Sequence, residues 1–457
     1  MHATAVILIA GLNESLLDSA PNLQAFRGRG TLHRLQPVLP AVTCTVQSTM
    51  LTGLPPSQHG IVGNGWFNRE LNEVQFWKQS NALVHGEKVW EAARARDAKV
   101  TCAQIFWWYN MYSGADYSVT PRPIYKADGR KLPDVYSKPA DLRDRLQRQL
   151  GQFPLFQFWG PGSSIVSSRW IARAARLVHG WHRPTLSLVY LPHLDYPLQK
   201  LGPDHPEIPS AVAEIDAVAG ELIEYYENQG VRVVIVSEYG IQAVRDAVPI
   251  NRVLRRAGLL RVREEEGLEL LDAGACDAFA VADHQVAHVY IKDLSRREEV
   301  AALCRETPGV ECVLDQTGKQ SAGLDHPRAG ELVLLSDPDR WFSYAYWLDD
   351  ARAPDFARTV DIHRKPGYDP LELFIDPRIR FPKLTIAHKL LRKRLGFRTL
   401  MDVIPLDASM VKGSHGRVDL PNELQPIMMT AMDIGDPPQP IPCANVKDIL
   451  LRHLIND

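Results

Sequence analysis

Three runs in this chain, Ala5 to Ala10, Thr185 to Leu191 and Val231 to Val236, are nearly unbroken stretches of apolar, largely aliphatic residues. A strand that is apolar on both faces belongs in a parallel sheet with helices packed on both sides. Helical signals alternate with these runs. Val212, Ile215, Val218, Leu222, Ile223 and Tyr226 repeat at a 3.6-residue period between Ser210 and Gly230, the pattern of an amphipathic helix. Lys88 to Arg96 reads as a helix leading into a strand over Lys99 to Phe106, and a further helix is expected near Lys138 to Leu150. Strand and helix in alternation predict an α/β fold with a doubly wound, mostly parallel sheet sandwiched by helices. The rhythm changes from Pro249 to about Phe381. Strand-like pieces at Ala287 to Ile291, Glu331 to Ser336 and Trp341 to Trp347 surround a helix near Arg296 to Cys304. The expected organisation is therefore a core of residues 1–248 and 382–457, with 249–381 as a smaller α+β insertion or cap.

One stretch stands out for chemistry: Pro40 to Ile61 places Thr43 at the start of a short helix that ends at Gly53, Pro55 and Pro56. The free N–H groups and positive dipole of a helix N-terminus favour an anion there. On residues alone, Thr43 or Thr45 is a helix cap as readily as it is a nucleophile. Cys44 is the other candidate nucleophile of that turn, with a buried structural thiol as its simpler reading.

The run Thr43 to Thr52-Gly53, followed by Pro56 and His59-Gly60-Ile61, resembles the nucleophile segment of the nucleotide pyrophosphatase/phosphodiesterase branch of the alkaline phosphatase superfamily. Further matches follow in order: a first strand ending Ala10-Gly11-Leu12, Asp195 before Lys200-Leu201-Gly202-Pro203, Ser237-Glu238-Tyr239-Gly240, and Gly413-Ser414-His415-Gly416. The resemblance implies an alkaline phosphatase-like fold and a threonine, here Thr43, that attacks phosphorus between two divalent metals. One metal set is an Asp, a His four residues on and a distant His, occupied here by Asp195, Gln199 and His415. The other is an Asp after the first strand, the threonine and an Asp-His pair, occupied here by Ala10, Thr43 and Glu238-Tyr239.

Those departures shape the expectations. Ala10 cannot ligate, Gln199 offers only an amide oxygen, and Tyr239, with an ordinary pKa near ~10, suits hydrogen bonding better than ligation. His193, two residues before Asp195, is a candidate substitute, as are Asn13 or Glu14 from the first loop. Asp283-His284, Asp325-His326 with Arg328, and the run Asp361 to Asp369 with His363, Arg364 and Lys365 are further candidates from the insertion, Lys365 for an anionic substrate. Gln47 is a candidate donor to developing charge. Trp107, Tyr109 and Asn110 lie in an aromatic loop that forms either a substrate wall or a satellite of the core.

The expected activity is metal-dependent hydrolysis of a phosphoester through Thr43, with one or two divalent ions (Zn, Mn or Mg) in an altered site. The alternatives are a catalytically degenerate binder of an anionic metabolite, and a hydrolase of phosphonate or sulfate esters. A net charge of −2 over 457 residues argues against a nucleic-acid polymer as partner, and the partner expected from the activity is a small anionic substrate. The basic cluster Lys389 to Arg398 reads as a solvated helix face. Six scattered cysteines lack any Cys-x-x-Cys spacing, so free thiols and a cytoplasmic location are expected. No membrane association is expected either, since the N-terminal apolar run is too short for a span.

Overall fold

The structure, a computed structural model, describes residues 1–455. Its centre is a nine-stranded sheet in the order Ile441–Pro442, Thr31–Gln36, Ile427–Thr430, Arg232–Val236, Thr4–Ile9, Leu186–Leu191, Cys102–Ile105, Tyr117–Pro121, Val135–Lys138. The five strands from Arg232–Val236 to Tyr117–Pro121 are parallel. The first strand sits in their midst with all six side chains buried, as its unbroken apolar run requires.

The sheet is mostly parallel, as expected, with five of its eight neighbouring pairs parallel and three antiparallel. Val135–Lys138 runs antiparallel to Tyr117–Pro121, because the chain between them forms a small hairpin, Ile124–Tyr125 with Lys131–Leu132, instead of a crossover helix. On the other side Ile427–Thr430 inserts antiparallel between Arg232–Val236 and Thr31–Gln36. Helices Ile165–His182 and Ile208–Asn228 lie among those that cover the sheet.

A second sheet is formed by Ala278–Asp283, Val286–Ile291, Leu332–Ser336 and Val310–Leu314, antiparallel throughout, with its own apolar core. Of the expected strand at Trp341 to Trp347 only Arg340–Phe342 forms, paired with Asp246–Val248. The remainder is irregular because Tyr344, Tyr346 and Trp347 all turn into that second core. The turn between Ala278–Asp283 and Val286–Ile291, at His284 and Gln285, reaches the loop after Gly413–Ser414, where the Gln285 backbone amide donates to the His415 carbonyl at 2.9 Å. Gly416, at φ +123°, permits this approach, since a Cβ there would lie 3.2 Å from the Gln285 nitrogen.

No helix among the described residues is long and apolar enough to cross a membrane.

Candidate active site

The carboxyl ends of the parallel strands converge where open α/β sheets hold their ligands. Ala10 follows the first strand, His193 to Asp195 follow Leu186–Leu191, and Ser237 to Tyr239 follow Arg232–Val236. Thr43 is the first residue of the helix Thr43–Thr52, every residue of which is buried, and Gly53 closes it at φ 70°. Thr43 does not cap its own helix. Its hydroxyl turns away and donates to Glu238 Oε1 at 3.0 Å, and it lies 3.2 Å from the Tyr239 hydroxyl.

Glu238 is fixed from its other side by Gln47, whose Nε2 donates to Oε2 at 3.0 Å. The Trp108 amide holds Gln47 in turn, donating to its Oε1 at 2.9 Å. The Tyr239 hydroxyl donates to Asp195 Oδ1 at 3.2 Å, and Gln199 Nε2 donates to Asp195 Oδ2 at 2.7 Å. Asp195 thus has both oxygens engaged. Tyr368 closes the circuit by donating to Gln199 Oε1 at 2.8 Å.

His415 donates from Nδ1 to the Ala41 carbonyl at 2.8 Å, which fixes its tautomer and leaves Nε2 facing Asp195 Oδ1 at 3.8 Å. Its ring lies face to face with Tyr239 at 3.6 Å and against His284 at 3.7 Å, and His284 stacks on Tyr368 at 3.7 Å. Four rings therefore pack in one column. Asp283 orients His284 through Nδ1 at 2.9 Å and is itself held by the Asn64 amide at 2.7 Å and by Asn64 Nδ2 at 3.1 Å.

Burial governs the electrostatics. Loss of hydration pushes Asp195 from 3.8 up to about 7, Glu238 from 4.5 up to about 8, and Asp283 up to about 6. The same cause holds His284 and His415 neutral and keeps the Tyr239 phenol protonated. Glu238 beside a hydroxyl, with a pKa near neutrality, is placed to accept a proton.

Other sequence candidates lie elsewhere. His193 pairs with Glu214 at 3.2 Å. Glu14 bonds Arg27 and Arg34 at the surface. Lys365 is sealed between Asp369 at 2.7 Å and Glu372 at 2.8 Å, so it holds its own loop rather than facing an anion. His363 contacts the Phe76 carbonyl, the Asp361 amide is tied to Glu372, and Arg328 bonds the carbonyls of Gly60 and Leu83. Asp325 accepts from Gln316 and Gln320. Trp107 and Tyr109 are packed in the main core, and Asn110 donates to the Val119 carbonyl, so this loop is core rather than wall. His59 accepts from the Ile61 amide on Nδ1 and meets Thr49 at Nε2, a structural role. Cys44 is buried, and burial lifts its thiol far above the reactive range.

The sequence profile of the family described as type I phosphodiesterase / nucleotide pyrophosphatase matches residues 4–369. The chain belongs to this family. A pyrophosphatase/phosphodiesterase of Schizosaccharomyces pombe is 27% identical over 242 residues, which are 50% of this chain and 41% of that protein. An ectonucleotide pyrophosphatase/phosphodiesterase of Caenorhabditis elegans is 24% identical over 234 residues, 50% of this chain and 26% of that protein. The match thus spans less than half the length of either relative. Solved structures share the fold over 99% of this chain: phosphonoacetate hydrolase of Sinorhizobium meliloti bound to phosphonoformate (TM-score 0.63, 15% identity, 96% of that chain) and murine ectonucleotide pyrophosphatase/phosphodiesterase 5 bound to AMP (0.57, 13%, 95%).

The resemblance read from the sequence implies two divalent metals beside Thr43. The donor set of this chain does not fit a two-metal clamp. Among the described residues no group of three or more His, Cys, Asp or Glu side chains is arranged to hold an ion. On the Thr43 side Ala10 has no donor, and a protonated phenol spans the gap between Thr43 and Asp195. On the other side Gln199 turns its NH₂ toward Asp195, and the His415 and His284 rings touch.

Proposed function

We propose that this protein hydrolyses a phosphoester or a closely related tetrahedral anion through Thr43. The observation that carries the proposal is the Thr43 hydroxyl at a helix N-terminus, 3.0 Å from a buried carboxyl and 3.2 Å from a phenol hydroxyl. Thr43 Oγ1 attacks phosphorus and its proton passes to Glu238 Oε1. Charge building on the phosphoryl oxygens meets the backbone N–H groups of the helix start and the Tyr239 hydroxyl. The leaving oxygen departs with the proton from Glu238. Water then attacks phosphorus and gives one proton to Asp195; as the bond from phosphorus to Thr43 Oγ1 breaks, that proton is relayed through the Tyr239 hydroxyl to Thr43, which frees Asp195 again. Gln47 and Gln199 orient the two carboxyls. Residues 249–381 act as a cap that contributes His284 and Tyr368.

The relatives' names motivate the substrate class: phosphodiesters and pyrophosphates first, with phosphonates as the neighbouring chemistry. A panel of nitrophenyl phosphodiesters, phosphomonoesters, phosphonates and sulfates, run with wild type and Thr43→Ala, tests this. Turnover of one class that Thr43→Ala abolishes supports it; turnover equal in both proteins refutes it.

One observation favours a second reading, a binder of anions that does not turn them over. The four-ring column fills the site, and Thr43, Glu238 and Tyr239 are each no more than 4% exposed. Saturable binding of a phosphorylated ligand without turnover of any ester would establish that reading.

A further inference from the structure

The helix Pro382–Arg394 buries none of its residues fully. Its inner side is held by Ile386, packed on the cluster that contains Leu371, Phe374 and Val403, and by Lys389, which pairs with Asp402. Its outer side is unusual. Leu384, Leu391 and the adjoining Leu395, at spacings i, i+7 and i+11, share one face and are 69%, 55% and 66% exposed. At 100° per residue, Lys383 and Arg394 flank that stripe on one side, and His388 and Arg392 on the other. Phe381 and Phe397, both 58% exposed, extend the apolar surface beyond the two ends.

Charge is equally lopsided. Arg378, Arg380, Lys383, Lys389, Arg392, Lys393, Arg394 and Arg398 carry eight positive charges, with no acidic residue between Asp376 and Asp402, in a chain whose net charge is −2. An apolar stripe between two basic margins matches the boundary of a bilayer, where acyl chains lie beneath anionic headgroups. Nucleic acid would engage the cations and leave the leucines in water.

We propose that this helix docks the protein flat on an anionic membrane surface. The leucine stripe enters the headgroup boundary, and the flanking lysine and arginine side chains reach up to the phosphates. The proposal goes beyond the sequence expectation of a solvated face without membrane contact. The proposal stands on surface residues alone and is independent of the chemistry at Thr43.

Flotation of the 457-residue chain with vesicles tests it. Binding is expected to vesicles of phosphatidylcholine with about 30% phosphatidylglycerol and to be at least ~tenfold weaker to phosphatidylcholine alone. Arg392→Gln with Arg394→Gln should weaken anionic binding roughly 25-fold, at about fivefold per cation. Leu384→Ser with Leu391→Ser should weaken it at least ~tenfold. Both variants change exposed side chains, and unchanged melting temperatures will verify their folding. Absence of binding at about 50 mM salt, or binding that neither pair alters, overturns the proposal. A self-association that the leucine pair abolishes, without vesicle binding, also overturns it in favour of a second copy as partner.

Discussion

Replacing Glu238 by glutamine should reverse the order of stability between variant and wild type as pH rises. Glu238 titrates at about 8 in the folded protein, against an ordinary value of 4.5, chiefly because burial strips water from its charged form. Between those values the folded state holds a proton that the unfolded state has lost, so stability is complete below about pH 4.5 and falls as pH rises through about 8. At about 1.4 kcal/mol per pH unit the loss approaches roughly 5 kcal/mol above pH 8. The substituted glutamine cannot ionise and escapes this loss. Whichever way its amide is turned, however, its NH₂ faces a group that donates to Glu238, either the Thr43 hydroxyl or Gln47 Nε2, at a cost of about 1–3 kcal/mol. The variant should therefore be less stable by about 1–3 kcal/mol at pH 5 and more stable by about 2–4 kcal/mol at pH 9. For 457 residues the unfolding entropy is about 1 kcal/mol per kelvin, so the melting difference should swing from a few degrees below wild type to a few degrees above it. Thermal melts by circular dichroism at pH 5 to 9 would measure the crossover. Parallel profiles would refute the assignment of Glu238 as a buried carboxyl that titrates near neutrality.

Thr43→Ala should lower turnover of a responsive ester at least ~1,000-fold in steady-state assays, with little change in melting temperature. Asp283→Ala should cost at least about 3 kcal/mol in urea unfolding, because it strands two Asn64 donors and the His284 Nδ1–H. Ala10→Asp with Gln199→His and Tyr239→His should create zinc binding by equilibrium dialysis where wild type shows none at the same concentration, since the three changes supply the missing ligands and remove the phenol that spans the gap.

Much of the framework was legible in the sequence because it depends on local pattern. The apolar runs at Ala5, Thr185 and Val231 mark adjacent parallel strands, since burial on both faces leaves no alternation to misread. Their ends bring Asp195, Glu238 and Thr43 together, joined by His415 from a late loop. What depended on distant chain was not legible. Nothing local to Asn64 ties it to Asp283, although its side chain holds that carboxyl across 219 positions. Asp283-His284 joins the site while Asp361 and His363 do not, because the former pair sits at a hairpin tip that Gly416 admits. Lys365 in a row of cations suggested an anion, and only the fold shows that Asp369 and Glu372 enclose it. Tyr239 appeared as a lost ligand; its ring stacked on His415 explains what replaced the ligand.

The most direct test is to catch the intermediate on Thr43. Turnover of an ester from the responsive class, quenched in acid during the steady state and digested, should leave the added phosphoryl, phosphonyl or sulfuryl mass on the peptide containing Thr43, with none on the Thr43→Ala protein. Steady turnover with that peptide unmodified, and with the alanine protein equally active, would contradict the account.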